Sequence, residues 1–306
     1  LTAISAVDLA LWDLLGRLRD EPVYRMIGGA VRDELPLYCT GPDPANAKAQ
    51  GFWGGKVPLP EGPGDGPAGL RRNIDYIAAM REAVGPDFPL MIDCYMALDV
   101  PYAIDLANGV RPFGVYWIEE VLHPDDFDGH RALKAACPWV RWTTGEHEYT
   151  RYGFRNLIVN RAVDIVQPDV MWCGGLTELI RIAALANAFD IPVVPHGSGA
   201  YSYHFGITQP QAPFAEYINI SPSGREIVPV FGALFTDEAL PEAQVVVRQL
   251  EQGNVPLDDS IRIYERGEAL KTHCDRLLKQ AEARIEKINL GAGNAPEGTS
   301  AFDPDG

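Results

Sequence analysis

The stretch PLMIDCYMALDVPYAIDLANGVRPFGVYWIEE (89–120) decides the fold. An apolar run, 89–94, carries Asp93 near its end. An amphipathic stretch, 101–110, follows, and a second apolar run, 115–120, closes on the acidic pair Glu119-Glu120. Short runs rich in β-branched and aromatic residues read as strands, and the 3.6-residue period between them reads as a helix. The same theme extends outward in both directions. Strands are expected over 35–40, 51–59, 89–94, 115–120, 140–146, 165–169, 193–196 and 215–220, with helices over 69–84, 101–110, 127–136, 150–160 and 176–189. Helix starts are marked by Asp125-Asp126 and by Thr177, whose side chains can satisfy free N–H groups.

Eight strands with helices between most of them leave two α/β architectures, a closed TIM-type barrel and an open doubly wound sheet. No GxGxxG follows a strand, and Gly28-Gly29 and Gly174-Gly175 read as turns or helix ends. The even strand spacing favours the barrel.

Composition narrows the function classes. The 306 residues are 46% hydrophobic, enough for one large core and a smaller appendage. A formal charge of −16 argues against nucleic-acid binding by the barrel. Five scattered cysteines without a CxxC pair fit a reducing cytoplasm better than a disulfide framework. No run approaches the ~18 apolar residues that span a bilayer. Ile4, Val7, Leu11, Leu14, Leu15 and Leu18 recur at helical spacing from the first residues, so a preceding segment is expected. Residues 260–288 read as a charged helix, and the Gly/Pro/Ala-rich end as a mobile tail.

In a TIM barrel, reactive groups converge from the C-terminal ends of the strands. Those positions hold Lys56, Asp93, Glu119, Glu146, Asp169, His196 and Glu216, with spacings of 26, 27, 23, 27 and 20 residues from Asp93 onward. Asp93, Glu119 and Glu146 are hard oxygen ligands on adjacent strands. Three carboxylates crowd together as anions only around a cation, and Mg2+ accepts such oxygens while leaving positions open for substrate. Asp169 and His196 close the next two strands, where the carboxylate can orient the imidazole as a general base. Lys56 either meets a substrate carboxylate or salt-bridges a core acid. Two residues on, where a second inward-facing base would stand, the chain has Pro58. Glu120 is expected to point outward by strand alternation.

SAVDLALWDLLGR (5–17), MIDCY (91–95), YWIEE (116–120), TTGEHE (143–148), IVQPD (165–169) and PHGSG (195–199), in this order, resemble the enolase superfamily in its mandelate racemase-like subgroup. Such enzymes pair a Lys or His base with Mg2+ to stabilise an ene-diolate. The resemblance implies a (β/α)7β barrel over 35–222. Residues 1–34 would be a remnant of an N-terminal capping domain, 223–289 a segment packing on barrel and cap, and 290–306 the mobile tail. It implies Asp93, Glu119 and Glu146 as Mg2+ ligands and His196–Asp169 as the general-base dyad. Glu216 would hydrogen-bond the substrate carboxylate, and His147 would contact substrate, assist the leaving group or support Glu146. The stretches 52–66, 145–154 and 195–205 are most similar to the L-rhamnonate dehydratase family. That likeness implies a lyase acting on a small sugar acid, in a homo-oligomer. Pro58 disfavours two-base epimerisation, and six His without an HxH pair disfavour a metal hydrolase. Dehydration of another aldonate, or a barrel inactive for want of its cap, stays open.

Overall fold

The alternating strand and helix runs fold as one curled parallel sheet in the computed structural model, which describes residues 1–197, 199–221 and 223–227 with short strands at 244–246, 286–290 and 296–301. The chain divides into two compact units, Leu1–Leu250 and Glu251–Gly306. In the first, the strands are β1 (Glu34–Thr40), β2 (Gly54–Pro58), β3 (Leu90–Asp93), β4 (Ile118–Glu119), β5 (Trp142–Thr144), β6 (Ile165–Val166) and β7 (Ala215–Ile218). They pair in the order β6-β5-β4-β3-β2-β1-β7. Between β6 and β7 runs the chain at 193–196, bridged to the β6 side at Val166–Val193 and Asp169–His196. This eighth stave is not a continuous strand because Pro192 and Pro195 have no N–H to donate to a ladder. The expected TIM-type α/β barrel is therefore present.

Helices α1 (Thr2–Arg19) and α2 (Val23–Met26) precede the barrel. Then come α3 (Pro44–Ala49), α4 (Gly66–Val84), α5 (Val100–Val110), α6 (Phe127–Ala136), α7 (Thr150–Val159), α8 (Leu176–Asn187) and α9 (Ala200–Gly206). Asp43, Asp99 and Asp126 cap α3, α5 and α6 by accepting from the backbone N–H three residues on. The expectation for α8 needs correction. Its cap position is Gly175, and Asp8 of α1 accepts from Thr177 N at 3.0 Å while Thr177 Oγ1 accepts from Trp12 Nε1. A cap supplied from 169 residues away leaves no local signal. Docking by Ser5, Asp8 and Trp12 turns the opposite face of α1 outward, so Ile4, Val7, Leu11, Leu14 and Leu18 are exposed.

Two layers of core hold the barrel. Outside, Ile77, Leu106, Val110 and Leu133 pack α4–α6 against Ile92 and Ile118, while Phe154, Leu157, Leu179 and Ile182 pack α7 and α8 against Val166. Inside, Tyr38, Met91, Trp117, Val194 and Phe214 fill the interior, with Trp117 stacked on Phe214 and edge-on to Tyr38. Fully burying side chains of this size stabilises by roughly 1.5–3 kcal/mol each. The polar layer above this apolar plug is the site.

Strand β8 (Gln244–Val246) pairs antiparallel with the start of β1. In the second unit, β9 (Glu286–Leu290) pairs antiparallel with β10 (Pro296–Ala301). The expected helix over 260–288 lies outside the described residues except at its last three positions. Those are extended, their backbone groups being taken by the β9–β10 ladder. The expected mobility of 290–306 falls largely outside the described residues as well.

Candidate active site

Because β3 and β4 pair in register, Asp93 stands beside Glu119 at the barrel mouth. Glu146 follows two residues beyond β5, after Gly145, whose φ of 138° favours glycine. Oxygens of Asp93, Glu119 and Glu146 all lie within 4.8 Å of one another. Lys56, wholly buried on β2, directs Nζ at Asp93 Oδ2 (3.2 Å), at Glu216 Oε1 (2.9 Å) and at Glu119 Oε1. Of the two readings of Lys56, this is the geometry of a core ion pair, shared among three acids. Glu119 Oε2 accepts from Trp117 Nε1 and Gln167 Nε2, each at 2.8 Å. Glu216 accepts from Thr40 Oγ1 and, through Oε2, from Gly197 N at 2.8 Å.

His196 Nδ1 lies 2.9 Å from Asp169 Oδ2, and its Nε2 lies 3.2 Å from Glu146 Oε2. Asp169 is itself fixed by Met171 N, which donates to Oδ1 at 2.7 Å. The dyad thus faces the carboxylate cluster across one contact. Glu120 is a correction: it is 0% exposed and points inward, with Oε1 2.8 Å from His147 Nδ1. The strand stops at Glu119, and Glu120 has left-handed backbone (φ 45°), so alternation no longer applies there. Thr40, Trp117 and Gln167 also escaped sequence reading. Gln167 had a usable signal, since it sits two residues before Asp169.

Charge crowding sets the proton affinities. Burial, with Asp93 and Glu216 nearby, raises Glu119 to about 8 against the pull of Lys56. Burial likewise raises Glu146 to about 7 and Glu120 to about 8. Burial opposes charge on His196 too, but Glu216, Asp169 and Glu146 outweigh it and raise the imidazole to about 10. For Glu216, burial is overcome by Lys56 and His196, which lower it to about 2. A divalent cation suits this donor set. Three hard carboxylates converge, Lys56 already satisfies part of their charge, and Glu146 Oε2, buried, has an ion-pair contact with His196 Nε2 but makes no hydrogen bond among the described residues.

Comparison with known proteins places this geometry. Residues 45–249 match the family model described as enolase C-terminal domain-like, and residues 237–287 match that of the exonuclease VII small subunit. An L-rhamnonate dehydratase of Saccharopolyspora erythraea is 54% identical over 242 residues, covering 79% of this chain and 62% of that protein. The crystal structure of L-rhamnonate dehydratase from Gibberella zeae superposes with a TM-score of 0.79 at 58% identity, covering 81% of this chain and 64% of that one. A second structure of the Gibberella zeae enzyme, complexed with Mg, gives the same TM-score and covers 62% of that chain. The chain therefore spans somewhat under two thirds of the length of these relatives.

Proposed function

Since the chain belongs to the enolase C-terminal domain-like family, we propose that it catalyses Mg2+-dependent dehydration of a sugar acid, with L-rhamnonate as the substrate. The observation that carries this reading is the His196–Asp169 dyad facing the Asp93, Glu119 and Glu146 cluster across a 3.2 Å contact. Asp93, Glu119 and Glu146 would hold Mg2+, which when bound supplies positive charge to stabilise the anion developing on the substrate carboxylate.

The residues of the chain divide the remaining work. Asp169 holds Nδ1 of His196, and once a bound cation offsets the carboxylate charge that raises the imidazole, its neutral Nε2 would take the proton from C2. Lys56 ties Glu216 and the ligands Asp93 and Glu119 into one buried polar layer, beside which the substrate carboxylate would bind. As the C3–O bond breaks, the electron pair of the enediolate forms the C2–C3 double bond, and His196 returns its proton to the departing hydroxyl as water. The resulting enol tautomerises to a 2-keto-3-deoxy acid. Pro58, exposed at the mouth in register with Asp93, cannot deliver a proton to the opposite face, which favours elimination over epimerisation. His147 is assigned to substrate binding.

A panel of L-rhamnonate, L-mannonate and related aldonates, assayed for 2-keto acid with and without Mg2+, tests the reading. L-Rhamnonate should give keto acid only with Mg2+, and His196→Asn should lower the rate roughly 10²–10⁴-fold. Turnover of a different aldonate would reassign the substrate. If no aldonate yields keto acid, the dehydratase reading fails and a metal-binding barrel without turnover takes its place.

A second reading concerns 237–287 alone. Its match to a nuclease small subunit, with a unit boundary at Leu250–Glu251, favours a separate module over a segment that packs on barrel and cap. By that family's description, its partner would be a larger polypeptide.

A further inference from the structure

The mechanism above leaves one wholly buried acid of the site without a role. Glu120 is 0% exposed, one residue past a ligand, and its backbone lies in the left-handed region at φ 45°. That conformation is unfavourable for an L-residue. It is held by two backbone bonds, Glu120 N to Thr143 O and Met96 N to Glu120 O. Such strain at a site persists when surrounding structure enforces it, and it points to a function for the side chain it aims.

What Glu120 aims at is His147. Oε1 lies 2.8 Å from Nδ1, while Oε2 is buried with no hydrogen-bond partner among the described residues. Nδ1 also lies 3.3 Å from Glu146 Oε1. Two aromatic rings flank the imidazole edge-on, Tyr95 at 5.4 Å and Trp172 at 5.1 Å, and Tyr149 stacks on Trp172. Tyr95 is itself left-handed (φ 48°), and its N–H donates to Asp93 Oδ1. The loops after β3, β4 and β6 therefore each contribute one residue that fixes the ring carried by the loop after β5. The side chain of His147 keeps 17% exposure, and its hydrogen bond to Glu120 is made through Nδ1. An imidazole clamped at one nitrogen and flanked by two rings has little freedom to turn, so its other nitrogen is presented in one direction. The lone pair or N–H there suits a hydroxyl, and the two rings suit the C–H faces of a polyol chain.

We propose that Glu120 is a positioning residue for substrate recognition. It clamps His147 through Nδ1 so that the opposite nitrogen, Nε2, binds a hydroxyl of the sugar acid beyond its reacting carbons. This rests on the dehydratase reading for the substrate class. The clamp itself stands on geometry.

The test uses the full chain carrying Glu120→Gln, which keeps an oxygen acceptor for Nδ1–H, and Glu120→Met, which keeps the shape without one. With Mg2+ saturating and L-rhamnonate varied, Glu120→Met should raise KM about tenfold or more with kcat within about threefold, the signature of lost uniform binding. Glu120→Gln should stay within about threefold of the parent in both constants. Calorimetric Mg2+ affinity should change less than threefold in either variant, separating a lost clamp from a damaged metal site. Independently of turnover, 15N-histidine NMR of the Mg2+-loaded protein should show a hydrogen-bonded Nδ1–H at His147 in the parent and in Glu120→Gln, absent in Glu120→Met. A parent protein without that Nδ1–H overturns the clamp even if Glu120→Met fails to fold. A KM for Glu120→Met equal to that of the parent overturns the recognition role. Failure of every aldonate to react, with the NMR signature intact, would sink the dehydratase reading and leave the clamp standing.

Discussion

At the scale of single residues, three acids of the site, Glu119, Glu120 and Glu146, are held above their ordinary proton affinities by burial and by neighbouring charge. Glu119 and Glu146, at about 8 and about 7, hold protons through much of the neutral range when no metal is bound. A bound cation needs both ionised, so binding must expel protons, and affinity should fall as pH drops below about 8. Titrating Mg2+ at pH 7 in two buffers of different ionisation enthalpy measures this. The apparent heats should differ in proportion to the protons released, and equal heats would show that the ligands were already charged. Residues of this layer were legible in the sequence wherever they stood in strand register. Asp93, Glu119, Asp169, His196 and Glu216 recur about once per strand–helix unit, and the structure brings them to one mouth. Glu120 was misread because alternation is a property of extended backbone, and the backbone there is no longer extended.

At the scale of elements, periodicity located the helices well, while their ends and docking depended on distant partners. Helix α6 illustrates both points. Asp126 caps it as expected, but His130 on its buried face carries a consequence that its position alone does not announce. Burial lowers the His130 imidazole to about 4, and Nε2 has no partner among the described residues. A histidine in an unfolded chain titrates near 6.5, so between about 6.5 and about 4 the unfolded state binds more protons. Stability from this group is full above about pH 6.5 and is lost as pH falls toward about 4, by up to roughly 3 kcal/mol. Denaturant midpoints recorded from pH 7 to pH 4 should fall less steeply for His130→Gln than for the parent. Parallel curves would show that the imidazole is free to charge in place. Helix α1 shows the limit of periodicity. Its apolar stripe was evident, yet the stripe is exposed because Ser5, Asp8 and Trp12 dock the other face.

At the scale of the whole molecule, the barrel was readable because its pattern repeats, and repetition averages out local error. The segment after it was not readable in the same way. A charged amphipathic run specifies that a helix is favoured and leaves open the body it packs on; it was the family resemblance that implied packing of 223–289 on barrel and cap. If that segment is a separate module, deleting 251–306 should leave Mg2+ affinity within about threefold and the thermal midpoint within about 2 °C, a shift smaller than that from ~1 kcal/mol in a domain of this size. A fall of many degrees on scanning calorimetry would return the segment to the barrel.

Lys56 has one more implication, and it concerns how the sequence can change. Its ammonium on β2 ties to acids on β3, β4 and β7, and Thr40 on β1 ties to the same Glu216. Five neighbouring staves are thereby laced into a hoop at the level of the chemistry. Loops above the hoop hang from strands already bound to one another, so positions there can vary without breaking it. The hoop itself resists piecemeal drift, because altering one member strands a charge on the next. A barrel built this way can acquire new substrates far more readily than a new first step.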